Sequence, residues 1–267
     1  MYRNTKDLEN FTISATDGHI GHVKDLYFDD HAWVIRYFVV DTGSWLSSRK
    51  VLISPISVDH LSLLGRSLSV GINKEQVRNS PSIDTGQPVS RQNEEQYMQH
   101  YGYPYYWAGV GTWGDGLYPY AMAHGNLAAP VERVERAERE LRLEVALRIE
   151  QARHRSDDPH LRSCKAVTGY RIHACDGEIG HVAGYLVDDQ TWVIHYLIVD
   201  TSNWFGGHKV LIAPDWIQGV HWTDETVAVD VSRESVKRAP PYDPDAKWSR
   251  HHDDSLHQHY RQLPTAC

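Results

Sequence analysis

The chain is poor in cysteine. Its 267 residues hold three, Cys164, Cys175 and Cys267, an odd number with no Cys-x-x-Cys pair. Neither a disulfide framework nor a thiolate zinc site is indicated, and reduced thiols are expected. Long apolar runs are also missing. The longest, Trp33 to Val40, includes Arg36 and is far shorter than the roughly 20 residues a membrane helix needs, so no membrane span is expected. No basic run exceeds a pair, and 35 acids against 27 bases give a formal charge of -8. A duplex-binding footprint must neutralise many phosphates, so no nucleic-acid partner is expected. Residues Met1 to Asp7 lack the apolar core and small-residue cleavage site of a secretory signal, which makes the cytoplasm the expected compartment. Catalytic signatures are absent too: there is no GxSxG, HExxH or GxxxxGK[ST], and no GxGxxG opens a helix after a strand. The expectation is a protein that is not an enzyme.

What is present is globular in balance, 41% hydrophobic and 23% charged, with 9 Trp and 15 Tyr against only 4 Phe, and 17 His. The chain also repeats itself. Sliding it by 159 residues aligns 6–84 with 165–243 without a gap, and 29 of the 79 positions are identical. Each copy is too long for a solenoid unit and about the size of a small domain. The expected organisation is one domain over 1–84, a connector over 85–162, a second domain over 163–243 and a tail over 244–267.

Within a copy the pattern is that of strands. Asp17-Gly18 and Asp176-Gly177 are hairpin signals. Trp33 to Val40 is apolar on both faces and reads as a buried central strand. The pairs Asp29-Asp30 and Asp188-Asp189 read as turns held by their own side chains rather than as cation ligands. Asn73 with Gln76, and Ser232 in the same place, start short capped helices that Pro81 and Pro240 end. His22 and His181 are expected to be strand residues.

The order Asp-Gly-x-Ile-Gly-x-Val, Asp-Asp, Trp-Val-Ile-x-Tyr-x-x-Val-Asp-Thr, Lys-Val-Leu-Ile-x-Pro, present twice, resembles the PRC-barrel domain. That family includes the cytoplasmic domain of the photosynthetic reaction-centre H subunit and the C-terminal domain of a bacterial ribosome-maturation factor. The resemblance implies a mostly β protein, two small antiparallel barrels that dock onto partners, with no catalytic residues to carry over. It covers neither the connector nor the tail.

The connector has two parts. Gln96 to Ala121 interleaves Tyr and Trp with Gly and Pro, which reads as a loop with large amphipathic rings. Tyr105, Tyr106, Trp107 and Trp113 are its candidate partner contacts, unless the loop simply wraps a barrel. From 131 to 153 a helical face of Val134, Ala137, Leu141, Val145, Ile149 and Ala152, with Glu and Arg paired at i,i+4, reads either as a homodimerising helix or as a spacer.

Two further sets complete the candidates. Trp45 and Lys50 recur as Trp204 and Lys209 and offer a rim of aromatic and cationic groups to a partner, or a lid over a barrel mouth. His251, His252, His257 and His259 in the tail could hold a divalent transition metal weakly, on a tail expected to be disordered. No cofactor is otherwise expected. The functional expectation is a non-enzymatic bacterial scaffold that docks onto a protein, peripherally at a membrane-associated complex if the H subunit is the guide. The alternative is a metal- or small-molecule-binding protein using the tail or a barrel cavity.

Overall fold

The computed structural model describes residues 1–81, 91–106, 113, 119, 161–202, 207–244, 246 and 250–262. The helix expected over 131–153, Trp107 and Trp204 lie outside them. The described residues are mostly β. In the first half β1 is Tyr2–Asn4, β2 Thr12–Ala15, β3 Gly18–Asp29, β4 Val34–Asp41, β5 Lys50–Ile53, β6 Val58–Ser62 and β7 Ser67–Val70. In the second, β8 is Leu161–Ser163, β9 Arg171–Ala174, β10 Gly177–Asp188, β11 Ile194–Asp200, β12 Lys209–Ile212, β13 Ile217–His221 and β14 Thr226–Val229. Helices α1 Lys74–Arg78, α2 Arg91–Tyr101, α3 Cys164–Val167, α4 Arg233–Lys237 and α5 Arg250–Gln262 complete the set.

Two sheets of seven strands result, one in the order β5-β4-β3-β2-β7-β6 with β8 paired to β3, the other β12-β11-β10-β9-β14-β13 with β1 paired to β10. Two details differ from the expected closed antiparallel barrel. The paths are open, and β2 with β7, like β9 with β14, pairs in parallel. Four strands intervene between those partners, so the chain has the length a parallel return requires. Strand β4 is buried at every position except Asp41, as its unbroken apolar run demands.

The Asp-Gly-x-Ile-Gly signature has a steric reason. A Cβ on Gly21 would lie 2.0 Å from the Asp41 carbonyl oxygen, and one on Gly180 2.2 Å from that of Asp200. Each glycine thus lets β3 or β10 pass against the end of the neighbouring strand. The Asp-Asp turns are also as expected: Asp29 Oδ1 accepts from the His31 and Ala32 amides, and Asp188 Oδ1 from those of Gln190 and Thr191.

By contact density the chain forms two compact units, one of Met1–Glu9, Asp25–Ile35 and Arg162–Cys267, the other of Asn10–Lys24 and Arg36–Leu161. Within the first unit β1 pairs antiparallel with β10, Tyr2 opposite Asp188. The α-amino group of Met1 reaches Asp188 and Asp189 at 3.0 and 2.9 Å. Arg3 pairs with Asp189 at 3.0 Å and Arg162 with Asp30 at 2.7 Å, and these are equivalent pairs under the 159-residue shift. Val34 bridges Val193, its own repeat equivalent, flanked by Ile35 N–H to Trp192 O at 2.8 Å and Ile194 N–H to Trp33 O at 2.7 Å. Such self-equivalent pairing is the local signature of a two-fold contact.

Of the tail, residues 250–262 form helix α5, which buries Leu256 and Tyr260; it stands 159 residues after α2, sharing Arg91/Arg250, Gln99/Gln258, His100/His259 and Tyr101/Tyr260. The contacts repeat as well: His100 Nε2 lies 2.8 Å from the Gln76 carbonyl and His259 Nε2 2.9 Å from that of Ser235. The repeat therefore runs from β1 through α2, beyond both ends of the alignable stretch. The aromatic connector likewise begins as helix, since Gln96 to Tyr101 are the last turns of α2. Cys164 is a buried free thiol, whereas Cys175 is disulfide-bonded, which corrects the expectation that all thiols are reduced.

Candidate functional site

Each copy sets a carboxylate from its closing helix against tyrosine hydroxyls, buried in the first copy and half-buried in the second. In the first, Glu94 Oε1 accepts from the Tyr37 hydroxyl at 3.3 Å and from that of Tyr106. The Arg36 guanidinium lies 3.8 Å from the Tyr106 ring centre and 4.9 Å from that of Trp113, and Nη1 donates to the Trp113 carbonyl at 2.8 Å. Glu94, Arg36, Tyr106 and Trp113 are all buried. Burial, with the Glu94 charge next, pushes the Tyr37 phenol well above its usual range, so it acts as a hydrogen-bond donor and not as an acid.

In the second copy Asp253 replaces Glu94. It accepts from Tyr196 at 2.8 Å and from Tyr2 at 2.9 Å. Tyr2 thus takes the role of Tyr106, brought there by the pairing of β1 with β10. His195 replaces Arg36 and stacks on Tyr2 with ring centres 4.5 Å apart and the hydroxyl 3.3 Å from Nδ1. Burial pushes the His195 pKa below its usual 6.5, opposed by the charges of Asp188 and Asp253.

Beside His195 and Tyr196 lies a cavity of about 570 Å³, bounded by Asp30–Trp33, Val193–Tyr196, Ala213–Asp215, Ile217, Gln218 and His257, of a size that takes a small ligand. Trp33 stands in its wall with φ 53°, and its repeat equivalent Trp192 has φ 61°, so this left-handed conformation belongs to the turn after Asp-Asp in both copies.

The candidate contacts read from the sequence fall in different environments. Tyr106 and Trp113 are enclosed around Arg36 and offer no surface to a partner. Tyr105 is half-buried and accepts from Gln99 at 2.9 Å. Trp45 is half-buried, donates to the Ile20 carbonyl and carries Lys74 Nζ 5.0 Å above its ring, while Lys50 and Lys209 are exposed opposite Asp41 and Asp200. His257 packs 5.1 Å from Trp216, His259 meets the Ser235 carbonyl, and His252 is exposed. The side chain of His251 is outside the described residues. Among the described residues no three His, Cys, Asp or Glu side chains form a group able to hold a metal ion.

Sequence reasoning missed another surface. Of the four exposed large apolar residues described, Leu63, Leu64 and Trp222 stand at the same hairpin tip, β6 to β7 and β13 to β14. Leu64 is 104% exposed. Arg66 and Glu225 close these turns with φ 44° and 52°, and their carbonyls accept from Thr12 and Arg171 at 2.9 and 3.1 Å. The available signal was Leu63-Leu64 and Trp222 between polar turn residues.

Among the described residues no helix is long and apolar enough to cross a membrane. Residues 4–76 match the PRC-barrel domain family, which supports, for the first copy, the family resemblance read from the sequence. No curated protein matches the chain.

Proposed function

We propose that this chain, which carries a PRC-barrel domain over residues 4–76, is a non-enzymatic adaptor that docks onto a protein partner. The observation that carries this reading is the pair of equivalent hairpin tips, each presenting apolar side chains to solvent on a turn braced from below. Leu64 is fully exposed, and Leu63 and Trp222 keep about two-fifths of their surface in solvent, Trp222 with its ring centre 6.3 Å from that of Tyr170; apolar and aromatic surface held out on an ordered turn is what an interface core uses. A partner at a membrane-associated complex accords with the family resemblance.

The test is co-purification of full-length protein from soluble and membrane fractions, beside the variant Leu63→Ser, Leu64→Asp, Trp222→Ser. Leu64 is fully exposed, so Leu64→Asp alone should change folding stability by no more than about 0.5 kcal/mol, and a thermal melt of the triple variant, whose Leu63 and Trp222 are partly buried, confirms that it is folded before binding is compared. A defined partner retained by the parent and weakened about tenfold or more in the variant supports docking through the tips. Equal retention by both places the contact elsewhere and defeats the reading.

A further inference from the structure

In the first copy four basic side chains gather around Trp45. The rings of His19 and His22 on β3 lie 5.0 Å apart. Lys74 Nζ stands 5.0 Å from the centre of the Trp45 ring, and the Arg78 guanidinium 6.0 Å from it. Lys74 and Arg78 are one turn apart on α1, the i,i+4 spacing at which like charges repel. Backbone contacts hold the group together. The Lys74 amide donates to Asp17 Oδ1 at 2.8 Å, which sets α1 beside the β2–β3 turn, and a Cβ on Gly18 would lie 3.9 Å from Lys74 Nζ. Trp45 is fixed by its donation to the Ile20 carbonyl. His19, His22 and Arg78 are exposed, and Lys74 and Trp45 are half-buried.

Within the fold this charge is not neutralised. Among the described residues no carboxylate lies within ion-pair distance of His19, His22, Lys74 or Arg78. Burial first, then the charges of His22 and Lys74, push the His19 pKa below its usual 6.5, against one hydrogen bond to the Ile13 backbone. The second copy is built otherwise. Under the 159-residue shift His19 becomes Glu178, beside the glycine against which Arg233 packs, its Cδ 3.4 Å from where a Cβ on Gly177 would stand. Helix α4 also carries an ion pair of its own, Arg238 with Glu234 at 2.7 Å. The same turn thus folds with an acid in that place, and closing it does not require the basic ring of the first copy. In a chain of formal charge -8, an uncompensated basic face around a tryptophan is surface suited to an anionic partner.

We propose that this face of the first copy binds an acidic segment of a protein in extended conformation, its carboxylates meeting Lys74, Arg78 and the two imidazoles and its apolar atoms lying on Trp45. Side chains on one face of an extended chain recur about every 6.6–6.8 Å, close to the separation of about 5–6 Å between neighbours one turn apart on a helix such as Lys74 and Arg78. A single small anion spans only part of such a row. The face is separate in sequence from the hairpin tips of Leu64 and Trp222, so either surface can fail its test without the other.

The experiment is NMR titration of the full-length protein at low salt and about pH 5.5, where imidazoles gain charge and glutamates stay ionised, following the ring protons of His19 and His22 and the indole N–H of Trp45. The probes are acetyl-Ser-Glu-Ser-Glu-Ser-Glu-amide, the neutral peptide with Gln in place of each Glu, and inorganic phosphate. The acidic peptide should saturate and shift all three reporters, with the neutral peptide at least about tenfold weaker. Lys74→Gln and Arg78→Gln should each weaken binding about three- to fivefold, as for exposed charge partners. His19→Glu, which installs the residue of the second copy, should weaken it at least about tenfold while the melting temperature is retained. Lys237→Gln, the equivalent of Arg78→Gln in the second copy, should leave the affinity unchanged. Equal affinity for the two peptides, tighter binding of phosphate than of the acidic peptide, absence of saturation at about 10 mM, or the same loss in Lys237→Gln as in Arg78→Gln overturns the proposal.

Discussion

Helix α5 offers the sharpest check on the architecture, because its removal should be silent if it is a tail and costly if it belongs to the fold. Thirteen residues form a marginal helix alone, so its order depends on docking. The dock has two apolar side chains one turn apart. Leu256 is 1% exposed, and Tyr260 is 4% exposed, 4.4 Å from the Trp216 ring and donating to the Leu211 carbonyl at 3.2 Å. Leu256→Ala removes a fully buried side chain and leaves a cavity, a loss of about 2–5 kcal/mol. With a melting shift of about 2–4 °C per kcal/mol for a chain of this size class, Leu256→Ala should lower Tm by about 4–20 °C. Gln258→Ala, on the exposed face of the same helix, should cost no more than about 0.5 kcal/mol. Urea unfolding and thermal melts of both variants decide the matter. Equal stability of the two would refute the docked helix and return the histidine-rich segment to the status of a solvated tail.

Four further outcomes follow from other parts of the molecule. Glu94→Ala strips the acceptor shared by the buried Tyr37 and Tyr106 hydroxyls and should destabilise by about 2–5 kcal/mol, read by urea unfolding, with Glu94→Gln milder because it keeps an acceptor. Gly21→Ala places a methyl carbon against the Asp41 carbonyl, a backbone atom that cannot swing away, and should cost about 2 kcal/mol or more, whereas Gly43→Ala, with nothing within 4 Å, should suffer only from its positive φ. Burial lowers the His195 pKa in the folded state, so its contribution to stability is present above the unfolded value of 6.5 and is lost as pH falls through the folded value; an NMR titration midpoint at or above 6.5 would contradict this. Burial, then the Asp25 and Glu9 charges, pushes the Cys164 thiol well above its usual range, so thiol reagents should modify it only after unfolding.

The β-strand framework was legible because its signals are local and occur twice. Asp17-Gly18, Asp29-Asp30 and the buried run of β4 each state their own structure, and the second copy repeats the statement. What escaped depends on partners distant in sequence. Strands β1 and β8 are three residues long, too short for any period, so nothing in Tyr2-Arg3-Asn4 announces pairing with β10; only the register of Arg3 with Arg162, and of Asp189 with Asp30, carries the information. Helix α5 was hidden by composition, since Arg-His-His-Asp-Asp reads as solvated until Leu256 and Tyr260 are recognised as Tyr97 and Tyr101 of α2. Tyr106 and Trp113 sit in a Gly/Pro-rich stretch whose chemistry signals exposure, and only Arg36, a charged residue in the middle of a buried strand, hinted that aromatic rings would be drawn in to cover it. The cavity beside His195 is lined by segments far apart in sequence, Asp30–Trp33, Val193–Tyr196, Ala213–Gln218 and His257, and no local pattern displays their meeting.

The most direct test of the adaptor reading is site-specific photo-crosslinking in living cells with a benzophenone amino acid placed at Leu64, at Trp222 and, as a control, at Glu178, an exposed residue of β10 away from the tips. The account predicts that the two tip positions yield discrete adducts with a defined protein partner and that the control does not. Adducts of the same kind from all three positions, or none from either tip, would contradict it.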